Sequence, residues 1–213
     1  MKLIDHSVHD FIQAVDAQTA IPGGGSVAAL SGALGAGLVG MVGKLTVQKK
    51  KFLALDTEIQ TLFKKRLEIL EKIKMELVSC VDKDTEAYQL VMNAYLLPKN
   101  TPEEVAVRNN AIIAGTKEAI KVPFEVARIS LEALSYLETI ALYGNNSAAS
   151  DLGVAAMMLE SALNGAILNV RTNLSGLEAD VTRYFYENNI VDMPQKARSY
   201  VEKVLLLVET KMK

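Results

Sequence analysis

Two kinds of group in this chain can do chemistry on a polar substrate: carboxylates that move protons, and backbone amides left open by a glycine-rich turn. The carboxylates are Asp82 and Asp84, in Cys80-Val-Asp82-Lys-Asp84-Thr-Glu-Ala-Tyr88, and Asp151, which follows Ser150. The turn is Pro22-Gly23-Gly24-Gly25-Ser26. Asn145, Asn146, Asn169, Arg171 and Asn173 add amides and a cation, and Lys49-Lys50-Lys51 adds a run of ammonium groups. Such a set suits carboxylate-assisted proton transfer and amide recognition of a polar heterocycle. Amides at a helix start favour anions and hydrogen-bond acceptors, which places Pro22 to Ser26 against a ligand. From residue types alone the acids read equally well as surface carboxylates. The lysines read as a solvated corner or as a receiver of ligand carboxylates.

Other chemistries find no support. His6 and His9 have no third ligand spaced with them, so no metal site is expected. There is no G-x-S-x-G elbow and no P-loop pattern, and Cys80 reads as a small buried apolar residue. Gly23, Gly25 and Ala28 fit G-x-G-x-x-A. However, helical spacing precedes them and the first acid afterwards is Asp56, so a dinucleotide fingerprint is excluded.

These groups need long helices to hold them. After Ser26, seventeen residues pass without a charge, and small residues recur every fourth position at Ala28, Gly32, Ala36 and Gly40. Ser26 can cap or open a central helix whose small-residue face admits close helix neighbours. Residues 5–18 put Val8, Phe11, Ile12 and Val15 on one face of a short amphipathic helix. From about Leu55 to Leu97 neither Gly nor Pro interrupts helical spacing. On that helix Asp82 and Asp84 point roughly 160° apart, so one small pocket cannot take both. Pro98 ends it, and Thr101-Pro102-Glu103-Glu104 reads as a capping box for the next. A break is expected near Pro123 and an end at Gly144. Ser147 is expected to cap a further small-residue helix running to about Asn173, followed by helices near 176–188 and 195–211. Asp151 and Asn169 share one face of that small-residue helix, about 27 Å apart.

Composition agrees. Half of the 213 residues are hydrophobic, prolines number five and tryptophan is absent, which favours one helical domain, 1–213, over a sheet. A net charge of −2 gives no case for nucleic acid. The uncharged stretch between Asp16 and Lys44 is long enough to span a membrane, but eight of residues 23 to 43 are glycine and no second clean span is expected. No membrane partner is therefore expected. The lone Cys80 and acids in the N-terminal segment where a signal peptide is apolar lead to a cytoplasmic expectation.

Six motifs in order carry a resemblance: PGGGSVAAL-SGALGAGLVGMV, VDKDTEAY, LPKNTPEE, VPFEVA, GN-x4-SDLGVAA and NVRTNL. Together they resemble the cyclodeaminase/cyclohydrolase family of folate enzymes, from about residue 5 to 210. The resemblance implies an all-α bundle of long antiparallel helices, a homodimer, a reduced-folate substrate, and no cofactor beyond that tetrahydrofolate. Cyclodeaminase is the activity favoured, because the motifs match that domain over such length; methenyltetrahydrofolate cyclohydrolase is the alternative. A non-catalytic folate-binding or structural dimer is the reading from another class. No formiminotransferase half accompanies the motifs, so a bifunctional enzyme is not expected. The implied catalytic set is Asp82, Asp84 and Asp151, with Asp82 preferred for proton transfer and Asp84 in reserve. The implied substrate-binding set is Pro22, Gly23, Gly24, Gly25, Ser26, Lys49, Lys50, Asn145, Ser150, Asn169, Arg171 and Asn173. The site is expected to be shared between subunits, since antiparallel pairing would bring one Asp151 end to the other's Asn169–Asn173 end. Gln48 stands where the family pattern carries glycine, which leaves the form of that turn open.

Overall fold

The structure, a computed structural model, describes residues 2–213, and among them there is no β-strand. A 3₁₀ turn at Leu3–Asp5 precedes α1 (Val8–Val15), α2 (Gly24–Val47), α3 (Lys50–Leu53), α4 (Thr57–Tyr95) and α5 (Pro102–Tyr143). A second 3₁₀ turn, Asn146–Ala148, leads into α6 (Ala149–Leu174), followed by α7 (Val181–Ile190) and α8 (Met193–Met212).

The helix starts follow from their caps. Thr101 accepts from the Glu104 N–H while the Glu104 carboxylate accepts from the Thr101 N–H, and Pro102 loses no bond in the first turn. Ser7 caps α1 and Asp180 caps α7 in the same way. At α2 the cap is Gly23, with extended backbone and no side chain, and Ser26 falls inside the first turn.

α2 runs through the middle of the bundle, with α4 and α6 antiparallel on its two sides, α5 behind it, and α8 closing over α5 and α6. Its small residues explain that position. Gly32 lies between Leu77 of α4 and Ala162 of α6, and a Cβ on Gly35 would stand 2.9 Å from the Ala155 carbonyl oxygen. Leu77, Leu134, Leu137, Leu159 and Leu163 fill the space around it without solvent contact, each contributing about 1.5–3 kcal/mol. Gly35→Ala should therefore force α2 and α6 apart and cost about 1–3 kcal/mol. Denaturant unfolding checks this; unchanged stability would mean the contact is loose.

Three expectations need correction. Pro123 is buried inside an unbroken α5, where packing on several sides holds the helix despite the missing N–H. Ser147 is not the cap of α6. Asn145 instead accepts from the Ser147 N–H and caps the 3₁₀ turn, and α6 starts at Ala149. The α1 face of Val8, Phe11, Ile12 and Val15 does form as expected, all four lining one groove although only Phe11 is buried. Finally, two helical stretches, Gly24–Val47 and Asn146–Leu174, are long and apolar enough to cross a membrane, with 56% and 50% of those windows buried in the bundle. The Gln48 turn requires no glycine, because its φ of −96° is open to any residue.

Candidate active site

The start of α2 meets the later part of α4 because the two helices run antiparallel. The Ser26 hydroxyl donates to the Val81 carbonyl at 2.8 Å, and Asp84 Oδ2 and Thr85 Oγ1 lie 3.4 and 3.3 Å from the same oxygen. Ser26 is completely buried. A Cβ on Gly25 would overlap the Asp84 carboxylate, so glycine there is what lets the carboxylate reach the helix start. Burial pushes the Asp84 carboxyl above the ordinary carboxylate range, although the Ser26 hydroxyl and N–H pull the other way. A carboxyl displaced upward in this way holds a proton more readily than an exposed one, which suits a group that takes and returns protons.

α6 brings amides to the same end of the bundle. Asn169 donates to the Gly165 carbonyl at 2.9 Å, and its amide lies against Gly24, where a Cβ would stand 3.4 Å from Nδ2. One turn on, Asn173 donates to the Ala119 carbonyl of α5 at 2.8 Å. Gly23 to Ser26, Asp84, Asn169 and Asn173 thus gather at one end of α2.

The remaining residues stand elsewhere in the protomer. Asp82 accepts from the Leu3 N–H at 2.6 Å and so faces the N-terminal 3₁₀ turn, on the far side of α4 from the glycines. Lys49, Asn145, Ser150 and Asp151 lie toward the other end of α2, a helix of 24 residues and about 36 Å. There the Asn145 N–H donates to Thr46 Oγ1 at 2.9 Å, and Lys49 and Asn145 line a cavity of 650 Å³. Lys50 is exposed and outside that lining. Arg171 is exposed and lines a separate recess with Arg183 and Glu187. Sequence reasoning omitted Lys51 and Lys211 from the site set, yet both line the larger cavity. Lys51 was visible in the lysine run; Lys211 arrives only by the docking of α8.

A helix start opened by glycine with the half-buried Asp84 carboxyl set against it makes this end of the bundle the candidate active site. Residues 7–189 match the formiminotransferase-cyclodeaminase family, and the chain belongs to it. It is 37% identical over 209 residues to formimidoyltransferase-cyclodeaminase of Rattus norvegicus, covering 98% of this chain but 38% of that protein's length. It is 36% identical over 189 residues to methenyltetrahydrofolate cyclohydrolase of Methylorubrum extorquens, covering 89% of this chain and 88% of that one. A crystal structure of formiminotetrahydrofolate cyclodeaminase from Thermotoga maritima has the same fold, with a TM-score of 0.82, 26% identity and 98% of both chains covered.

Proposed function

We propose that the protein is a folate one-carbon enzyme, a formimidoyltetrahydrofolate cyclodeaminase in which Asp84 moves the proton. The observation that carries this reading is the half-buried Asp84 carboxyl, set against Gly25 and Ser26 and displaced upward by desolvation there. In the reaction, N10 attacks the amidinium carbon on N5 and forms a tetrahedral centre. N10 must then lose a proton and the amino group must gain one, so that ammonia leaves and the methenyl cation remains. An ionised Asp84 accepts the first proton and returns it to the departing nitrogen, ending as it began. The Gly24 and Gly25 amides and the Asn169 amide hold the pterin edge alongside. No cofactor beyond tetrahydrofolate enters this sequence of steps. Asp82, engaged with Leu3, is set aside in favour of Asp84.

The second reading is the cyclohydrolase, favoured by the similarity in length to the Methylorubrum enzyme. Water then attacks the methenyl carbon, Asp84 accepts its proton, and N5 is released protonated. Offering the purified protein both substrates separates the readings. Ammonia release from the formimino form supports the first, and loss of the methenyl chromophore without ammonia supports the second. Folate binding without either would leave a non-catalytic binding protein, and no binding would overturn the proposal.

The working unit in this reading is a homodimer. Val27, Leu34, Met41 and Leu45 form an exposed apolar stripe on α2, and a Cβ on Gly37 within it would meet open space. Val154, Met157 and Leu168 of α6, the helix packed against α2, are exposed as well. Next to the stripe, α1 and α2 enclose an apolar groove of 790 Å³ lined by Val8, Phe11, Ile12, Val27 and Leu34. Antiparallel pairing of two α2 helices would cover this surface. It would also bring Lys49, Asn145 and Asp151 of one subunit over the glycine turn and Asp84 of the other.

A further inference from the structure

The two carboxylates of Asp82-Lys83-Asp84 face different sides of α4, and the proposed reaction uses only Asp84. Asp82 has a partner of its own, since its Oδ1 accepts from the Leu3 N–H at 2.6 Å. Between these two anchors the chain makes one loop. It leaves Asp82 at Leu3, passes through α1 and the link 16–22, and returns to α4 where Gly25 meets Asp84. Two residues on one turn of α4, roughly 160° apart, thus hold both ends of segment 3–25.

Little else holds that segment to the protomer. Leu3 and Ile4 are only partly buried against the core, and Phe11 is the one buried residue of α1. Val8 and Ile12 stay 79% and 57% exposed. His6 works against docking, because its Nδ1 is shut off from solvent and, among the described residues, has no hydrogen-bond partner. At the other end of the loop, Gly23 caps α2 without a side chain. The glycine turn therefore takes its place from Ser26 on the inside and from the incoming chain on the outside.

We infer that Asp82 is a positioning residue for the glycine turn: its carboxylate latches the start of segment 3–25, and releasing the latch loosens the Gly24 and Gly25 amides while Asp84 stays in place. The effect on substrate rests on the folate reading; the latch itself does not. A chain closed at both ends has fewer conformations than one closed at a single end. Amides held this way are ordered before the ligand arrives rather than by it. Breaking the latch should then weaken binding more than it slows the chemistry.

Two variants break the bond from opposite sides. Asp82→Ala removes the acceptor. Leu3→Pro removes the donor N–H at the first position of the 3₁₀ turn, where Lys2 already has the extended backbone, ψ 149°, that a following proline requires. Leu3→Ala keeps the N–H and controls for the lost side chain. Hydrogen exchange of the substrate-free full chain, read by mass spectrometry, should accelerate at residues 3–22 in both latch variants. Relative to wild type and to Leu3→Ala respectively, the gain should be about tenfold or more, because a bond to a charged group is lost. The two changes combined should exchange no faster than the worse one alone, since both remove one bond. Asp82→Asn keeps an accepting oxygen and should recover most of the protection. In turnover, Asp82→Ala should raise KM about tenfold and change kcat by no more than about threefold. Unaltered exchange in both Asp82→Ala and Leu3→Pro would overturn the latch. A collapse of kcat at unchanged KM in Asp82→Ala would make Asp82 part of the chemistry and overturn its positioning role. If neither folate is turned over, the proposed reaction falls while the exchange measurement still decides the latch.

Discussion

Asp84→Asn is expected to lower kcat by about 10²–10⁴, the range that a positioned proton-transfer group contributes. Asparagine keeps the size of the side chain beside Ser26 and Gly25, so KM should change far less than kcat. The same variant carries a stability signature. Burial raises the carboxyl of folded Asp84 above its unfolded value. The fold therefore holds the protonated form best, and that stability is fully present below the ordinary aspartate value and lost as pH rises through the folded one. Asparagine does not titrate. Relative to the variant, the wild type should thus lose stability as pH rises from the ordinary aspartate value through the higher folded one. Thermal melts of both proteins across that range check the sign. A wild type that gains relative stability as pH rises would place Asp84 in an ion-stabilising environment and remove it as the proton carrier.

Gly25→Ala should cost nearly as much activity without touching the reacting groups. The added methyl would overlap the Asp84 carboxylate, which is the mobile tip of a side chain, and so would turn it away from the helix start. Alanine is favoured over glycine in a helix by about 1 kcal/mol, so helical content and melting temperature should hold or rise while turnover falls. The double variant with Asp84→Asn should be no worse than the worse single change, because both remove the same carboxylate from the same place. Full activity in folded Gly25→Ala protein would show that the approach of Asp84 to α2 is incidental.

Much of this architecture could be read along the chain. The capping box at Thr101, the proline at the first position of α5, and the uninterrupted helical spacing of α4 are local signals, and each acts locally. The divergence of Asp82 and Asp84 was equally legible, being a consequence of helical period. Which of the two faces the glycines was not, because that depends on which side of α4 packs against α2. The family motif alone favoured Asp82; the contacts of Ser26 and Leu3 favour Asp84. The separation of Asp151 from Asn169 along α6 followed from counting turns, but only the antiparallel course of α2 assigns those ends to Lys49 and to Gly24 respectively. Pro123 and Ser147 misled for opposite reasons. Packing overrode a local breaker at the first, and Asn145 took the capping role at the second. Lys211 carried no signal, since its place depends wholly on how α8 docks across the bundle.

The central claim is that each site is built from two subunits, with Asp84 supplied by one and Asp151 by the other. Asp84→Asn and Asp151→Asn proteins, each expected to be strongly impaired alone, are to be dissociated together and allowed to reassociate, with mixed dimers verified by mass. Random pairing makes half of the dimers mixed, and each mixed dimer regains one intact site of two, so turnover should recover to about a quarter of the wild-type value. Verified mixed dimers that remain inactive would contradict the shared site.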